Sequence, residues 1–485
     1  MEMHLDLDSA EGRSKRSRME NALRDAVREG RLPSGTRLPA TRALAAELCV
    51  SRGVVVEAYA QLAAEGYLRT RRGGGTTVAP AGAVAGAIAA PPPARGAVRH
   101  DLNPFRPALS AFPRAVWLAA LSRVMRASPD ERLGYPDPGG VPELRATLAG
   151  YLGRVRGVRA HPAQVVVTSG LRAGVDLLFA TLAAAGARAV AVEEPGWRGM
   201  RETAAGAGLR VVGVGVDAEG MEVEQLERHP DLAAVAVAPA HQYPTGAVLS
   251  PARRARIVVW ARERRAWVVE DDYDAEYRYD RQPIGSLQGL APDRVVYGGS
   301  ASKTLAPAVR LGWLVLPEEL VEEVCARQRL RGGMPSALEQ LALADLIERG
   351  ELDRHLRRQR RLYRARRDAL LEELARGLPE ATVEGAAAGL YVLVSLPPDL
   401  DERAVLAEAR ARGMALEGLG ARRPGVVVGY ANLDRGAARP VVATLADAVR
   451  AVRAVRREVG GRVVAVSSTS VEGERMGGAP TRVAQ

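Results

Sequence analysis

The feature that most restricts the fold is a series of short apolar runs between residue 101 and about residue 460, at 164–168, 189–192, 209–216, 233–238, 267–270, 294–297 and 311–316. Helical or loop stretches separate them. A strand with one face in water alternates apolar and polar residues, whereas a nearly continuous apolar run needs cover on both faces. The pattern predicts an α/β body with a mainly parallel sheet clothed by helices. In such sheets ligands gather beyond the carboxyl ends of the strands.

The 485 residues are enough for two or more domains, and 47% hydrophobic with 26% charged residues is ordinary for a soluble chain. Two cysteines, Cys49 and Cys325, make no disulfide framework, which fits a reducing cytoplasm. Glu2, Asp6 and Asp8 stand where an export signal would be basic, and no apolar run is long enough to span a bilayer. A cytoplasmic protein without a membrane anchor is expected. The net charge of +11 invites a polyanionic partner.

Lysine is almost absent: of 68 basic side chains only Lys15 and Lys303 are lysine. Arginine serves wherever a plain cation is enough, so Lys303 marks a place where an amine is required. An amine can shed its proton and condense with an aldehyde, whereas a guanidinium stays charged. Ser300 and Ser302 precede it and Arg310 follows, offering two hydroxyls and a donor fork to a phosphate. Pyridoxal 5′-phosphate combines that aldehyde with that phosphate.

Other strand ends carry matching groups. Ser169-Gly170-Leu171-Arg172 opens a helix whose free N–H groups can receive a phosphate. Glu193-Glu-Pro-Gly-Trp197 supplies an aromatic that can stack on a pyridine ring. Glu270-Asp-Asp-Tyr-Asp-Ala-Glu-Tyr277 supplies carboxylates, one of which could keep a pyridine nitrogen protonated. This order of motifs resembles fold-type I aminotransferases along the whole segment. Ser302-Lys-Thr-Leu-Ala-Pro-Ala-Val-Arg-Leu-Gly-Trp313 is similar to the version in the aminotransferase-like regulators of the MocR/GabR family.

The resemblance implies a fold-type I body with a small C-terminal α+β domain, and a cofactor held at Lys303 as an aldimine that an amine or amino-acid effector exchanges. It implies that Asp271 meets the ring nitrogen, Tyr273 the ring hydroxyl and Trp197 the ring face. Gly170, Leu171, Arg172, Ser300, Ser302 and Arg310 would then meet the phosphate. Tyr135, in Tyr135-Pro-Asp-Pro-Gly-Gly-Val-Pro-Glu-Leu-Arg145, would reach the phosphate of a neighbouring subunit, so a homodimer follows. No metal is expected.

Two departures bear on the ligand. Where aminotransferases of this class carry Asn-Pro-x-Gly, His241-Gln-Tyr-Pro-Thr-Gly246 puts Tyr243 at the asparagine position. Where the enzymes place an arginine for the substrate carboxylate, Gly425-Val-Val-Val-Gly-Tyr-Ala431 is apolar, and Arg422 and Arg423 just before it are the candidates for that contact.

The N-terminal segment differs. Residues 13–72 hold thirteen basic and six acidic side chains. A helix over 15–28, a second opened by Pro39 and Thr41, and a third after Ser51 with Val55, Tyr59 and Leu62 on one face read as a helix-turn-helix. Gly66-Tyr-Leu-Arg-Thr-Arg-Arg-Gly-Gly-Gly-Thr-Thr-Val78 reads as a hairpin with Arg69, Arg71 and Arg72 on its approach. The run Leu38-Pro-Ala-Thr-Arg-Ala-Leu-Ala45, Val50-Ser-Arg52 and Ala58-Tyr-Ala-Gln-Leu-Ala-Ala-Glu-Gly-Tyr-Leu68 resembles the GntR-type winged helix-turn-helix over residues 13–79. That implies double-stranded operator DNA as a partner, met by Arg42, Ser51, Arg52 and, at the wing tip, Gly73, Gly74 and Gly75.

Residues 80–100 form an Ala/Gly/Pro-rich linker, able to span on the order of 50 Å if extended, which would let a head sit against the partner subunit. The body is expected over 101–460 and a disordered tail over 461–485. Eight arginines between Arg354 and Arg367 read as a solvated helix face. The whole reads as a transcription regulator with a cofactor-binding body. A working aminotransferase whose head merely locates it, and a sensor of cofactor level without an amine ligand, stay open as alternatives.

Overall fold

The computed structural model describes residues 14–71, 74–80, 98–280, 284–420, 423–434 and 436–468, with side chains as far as residue 455. It divides into two compact units, Met1–Arg95 and Gly96–Gln485. Most of the expected linker and the end of the expected tail lie outside the described residues, as do Arg72, Gly73 and Arg422.

In the first unit, helices α1 (Lys15–Arg28), α2 (Thr41–Glu47) and α3 (Arg52–Ala64) precede a hairpin of β1 (Leu68–Arg71) and β2 (Gly75–Val78). Ser14 caps α1 by accepting from the Ser17 amide, and Ser51 caps α3 by accepting from Val54. Each satisfies a donor that the first helical turn leaves free. Met19, Leu23, Leu44, Val55, Tyr59 and Leu62 from all three helices meet Leu68 and Val78 of the hairpin in one core. The hairpin pairs Leu68 with Val78 and Arg71 with Gly75.

In the second unit, β3 (His100–Asp101) leads to helices α4 (Arg114–Ala127) and α5 (Pro142–Arg156) and then to the main sheet. Its strands are β4 (Val165–Thr168), β5 (Ala189–Glu194), β6 (Arg210–Asp217), β7 (Gly220–Met221), β8 (Leu232–Val237), β9 (Trp267–Asp272), β10 (Val295–Ser300) and β11 (Gly312–Val315), in the order β4-β11-β10-β9-β8-β5-β6-β7. The pairs β10–β9, β9–β8, β8–β5 and β5–β6 are parallel, and β11 runs against both neighbours. The continuous apolar runs have the expected physical cause. Val190 and Val192 enter one core while Ala189 and Ala191 enter another, and Val269 and Val268 divide in the same way.

Crossovers include α6 (Leu171–Ala184), α7 (Arg198–Gly206) and α8 (Pro251–Arg264), and a single turn, α9 (Ala301–Thr304), follows β10. Helices α10 (Glu318–Arg331), α11 (Ala337–Glu348) and α12 (Glu351–Gly377) lead to a smaller antiparallel sheet. It has the order β12 (Thr382–Glu384), β13 (Tyr391–Ser395), β16 (Gly425–Gly429), β15 (Glu417–Gly418), accompanied by α13 (Glu402–Ala411). β3 pairs in parallel with β14 (Met414–Ala415), so the segment that emerges from the linker is tied to this smaller part. The last helix, α14 (Ala438–Ser468), corrects the expected tail boundary: residues 461–468 continue the helix.

Candidate functional site

A cavity of about 260 Å³ opens at the carboxyl ends of β4, β5, β8, β9 and β10. Eleven of the residues singled out in the sequence line it: Gly170, Leu171, Arg172, Trp197, Tyr243, Asp271, Tyr273, Ser300, Ser302, Lys303 and Arg310. Strand geometry explains why one carboxylate cluster yields one cavity carboxylate. Alternation along β9 sends Glu270 and Asp272 away from Asp271. Glu270 accepts the Leu287 and Gln288 amides at 2.8 and 2.9 Å. Asp272 pairs with buried Arg156 at 2.6 Å and accepts the Tyr297 hydroxyl at 2.7 Å.

Asp271 is left facing the cavity. Its Oδ1 is buried and has no hydrogen-bond partner. Desolvation, reinforced by Asp272 and Asp274 and opposed by Lys303, pushes its carboxyl up to about 7. Lys303, on α9, donates from Nζ to the Phe105 carbonyl and lies 5.4 Å from the Phe105 ring centre. Burial draws the ammonium down to about 8 against the pull of Asp274 and Asp271. An amine eased toward its neutral form beside an unsatisfied carboxylate is the donor set that a protonated pyridine carrying an aldehyde requires.

The other end of the cavity suits an anion. Gly170 caps the fourteen-residue α6, so the free amides of the first turn point outward. The Arg310 guanidinium lies beside it, 3.4 Å from where a Gly170 Cβ would stand. Gly312 permits the approach of β11, since a Cβ there would stand 2.6 Å from the Gly170 carbonyl carbon and the Leu171 nitrogen.

Some expected residues stand elsewhere. Tyr135 is 98% exposed and does not line its own chain's cavity. Arg423 is spent on a two-pronged contact with Glu384 at 2.6 and 2.8 Å and does not line the cavity. The Tyr243 ring lies tilted 4.9 Å from the Phe105 ring and edge-to-face 5.3 Å from the Tyr391 ring. The Tyr273 hydroxyl is already engaged, 3.0 Å from the His241 carbonyl and 2.8 Å from the Tyr391 hydroxyl. Phe105, Glu193, His241, Asp274 and Tyr391 were missed in the sequence. Glu193, His241 and Asp274 stood inside motifs quoted for other residues, whereas Phe105 and Tyr391 carried no signal. Burial pushes Glu193 up to about 8.

In the first unit, Arg42, Arg52, Arg69 and Arg71 are exposed and make no ion pair among the described residues, whereas Arg16 and Arg24 on α1 pair with Glu20, Glu57 and Glu65. Among the described residues, α2, the start of α3 and the hairpin thus each carry exposed cations without an ion pair. Ser51 and Gly74 are exposed alongside them, and Gly75 takes φ +84° at the start of β2. Among the described residues no three potential metal ligands cluster, and no helix is long and apolar enough to cross a membrane.

Comparison with known proteins agrees with both halves. Residues 15–78 match the gntR family of bacterial regulatory proteins, and residues 106–425 match aminotransferase class I and II. The chain is 34% identical over 458 residues to the probable rhizopine catabolism regulatory protein MocR of Rhizobium meliloti, covering 89% of this chain and 92% of that protein. It is 34% identical over 456 residues to the pyridoxine biosynthesis transcriptional regulator PdxR of Corynebacterium glutamicum, covering 89% and 95%. Among solved structures, kynurenine aminotransferase of Pyrococcus horikoshii superposes with a TM-score of 0.66 at 25% identity, covering 72% of this chain and 90% of that one. The α-aminoadipate aminotransferase LysN of Thermus thermophilus, solved with N-(5′-phosphopyridoxyl)-L-leucine, gives 0.66 at 26% identity, covering 73% and 93%. With a gntR-family segment followed by an aminotransferase segment, and 34% identity over 89% of its length to two such regulators, the chain belongs to the MocR-type regulators of the GntR family, with an aminotransferase class I/II body.

Proposed function

We propose that this regulator reports the state of its cavity to DNA, with pyridoxal 5′-phosphate held at Lys303 and an amine or amino-acid effector competing for the same bond. The carrying observation is the buried, unsatisfied Asp271 Oδ1 in one cavity with the body's single lysine. When bound, the cofactor supplies an aldehyde that bonds reversibly to amines and a ring that withdraws electrons. Asp271 would accept the ring N–H, Trp197 would cover the ring, and Tyr273 with Tyr243 would serve its hydroxyl. Arg310, Arg172, Ser300, Ser302 and the amides at Gly170 and Leu171 would hold the phosphate, and Tyr135 would serve the phosphate of the partner subunit in a homodimer. With Arg423 committed to Glu384, Arg422 is left as the candidate for an effector carboxylate.

The head meets operator DNA in the cytoplasm through Arg42, Ser51, Arg52 and the wing tip at Gly73, Gly74 and Gly75. An effector alters DNA affinity only as far as it binds one arrangement of the body better than another, and a tenfold preference corresponds to about 1.4 kcal/mol. The linker would let that arrangement set the spacing of two heads against two half-sites. The test is operator affinity of cofactor-free, cofactor-loaded and amine-treated protein. A difference among the three is expected, and equal affinities overturn the reading. A change between the first two with none on amine treatment identifies the cofactor's own level as the signal.

The second reading, a working transaminase, is favoured by the same presence of Lys303 and Asp271 in one cavity. Multiple-turnover keto-acid formation from an amino donor would decide for it.

A further inference from the structure

Gln242 is 1% exposed and does not line the cavity, yet its side chain bridges two of the loops that do. One loop follows β5 and ends at Trp197; the other follows β8 and carries Gln242 and Tyr243. From the second loop Gln242 Nε2 reaches the first, donating to the Pro195 carbonyl at 2.8 Å and to Glu193 Oε2 at 3.4 Å. The same nitrogen donates to the Tyr243 carbonyl. Oε1 accepts the Thr245 amide at 3.2 Å and the Thr245 hydroxyl at 2.7 Å. Turning the side-chain amide round would set its oxygen against three oxygens and its nitrogen against a backbone N–H, so these partners fix its orientation.

The loop from which Gln242 reaches out is itself closed. The Gln242 amide donates to the Ala247 carbonyl at 2.9 Å, and the Gly246 amide donates to the Gln242 carbonyl at 2.6 Å. The Tyr391 hydroxyl, from β13 of the smaller sheet, reaches the same carbonyl at 3.2 Å. A buried amide is costly unless its donors and acceptor are matched, and a methionine of similar size would fill the space without that demand. Filling space is therefore not what the amide is for. Trp197 caps the start of α7, two residues beyond the pinned Pro195. Its ring lies between that helix and the cavity: a Cβ on Gly199 would stand 2.3 Å from Trp197 Cζ2.

We propose that Gln242 is a positioning residue for Trp197: its side chain fastens the loop after β5 to the closed loop after β8 and so fixes where the Trp197 ring stands. What that ring does for the cofactor rests on the reading above. The fastening does not, and its first test needs no cofactor.

The chain has five tryptophans, so labelling with 5-fluorotryptophan gives five fluorine resonances, each assigned by the tryptophan-to-phenylalanine variant that loses it. In cofactor-free Gln242→Met the Trp197 resonance should shift or broaden, while those of Trp117 and Trp260, buried in other cores, stay in place. In titrations with pyridoxal 5′-phosphate, Gln242→Met should weaken binding at least about fivefold, but no more than about twofold where Trp197 is already replaced by leucine, because a residue acting through Trp197 then has nothing to position. A Gln242→Met protein that melts cooperatively with its Trp197 resonance unmoved overturns the proposal, and so does equal weakening in the two backgrounds. A resonance that moves in a protein that never binds the cofactor supports the fastening and sinks the cofactor assignment instead. Should Gln242→Met not fold, Gln242→Glu decides, since it keeps the shape and sets oxygen against oxygen. The Trp197 resonance must move there too, and an unmoved one overturns the proposal.

Discussion

A single amine carries the functional argument, and its surroundings make its removal informative. Lys303→Ala leaves Asp271 and the phosphate-end groups in place, so cofactor should still enter the cavity but be lost on dialysis, and borohydride reduction followed by denaturation should leave no cofactor on the variant while leaving it bonded to the wild type. Asp271 gives a prediction of opposite sign for stability and function. Its carboxyl is raised from the ordinary 3.8 to about 7, so the folded state binds more protons than the unfolded one between those values. The cofactor-free protein therefore loses stability as pH rises through that window, and above it the ionised Asp271 is a standing cost. Asp271→Asn should remove the cost, raising stability at pH 8 by on the order of 1–2 kcal/mol while weakening cofactor affinity at least tenfold. Denaturant titration at pH 5 and pH 8 beside a cofactor titration checks both, and equal stability at pH 8 would refute the burial account. The sequence marked Lys303 because lysine is otherwise almost absent, and Asp271 through the resemblance of the acidic run at the end of a strand. It did not mark His241, Tyr391 or Phe105, whose positions depend on distant loops meeting in the folded chain.

At the level of elements, the sequence located seven main-sheet strands to within about three residues, because runs buried on both faces leave an unbroken apolar signature. Direction was less legible. Composition does not distinguish the antiparallel β11 from its parallel neighbours, yet the connection from Ser300 to Gly312 is shorter than the dozen or more residues a parallel crossover needs. That short return holds Lys303 between two paired strands. In the head, the start of α3 does two jobs that can be separated. Ser51 accepts the Val54 amide and is exposed where the helix-turn-helix would face DNA. Ser51→Ala should cost about 1 kcal/mol through the lost cap. Ser51→Asp should keep the cap and the stability but set a negative charge against phosphate, weakening operator binding about tenfold or more. Parallel melting curves and operator titrations test the split; an aspartate variant that binds normally removes Ser51 from the interface.

For the whole molecule, the question is whether one chain can complete its own cavity. Tyr135 is 98% exposed and lies outside the cavity lining of its own chain, so a phosphate contact from it requires a second chain. The sequence suggested this through resemblance alone, since no pattern within one chain encodes a contact between two. Complementation turns it into a measurement. Tyr135→Ala removes the donated hydroxyl and Lys303→Ala removes the receiving amine, so each homodimer lacks competent sites. If the hydroxyl crosses between subunits, a mixed dimer regains one intact site, in which Lys303 comes from the Tyr135→Ala chain and Tyr135 from the Lys303→Ala chain. Unfolding and refolding an equimolar mixture should then give a lysine-linked absorbance near one quarter of wild type, because about half the dimers are mixed and each has one good site of two. The cofactor must be held below the level at which the tyrosine variant fills unaided. If the tyrosine serves its own chain, mixing restores nothing, and neither the shared site nor the homodimer argument built on it survives.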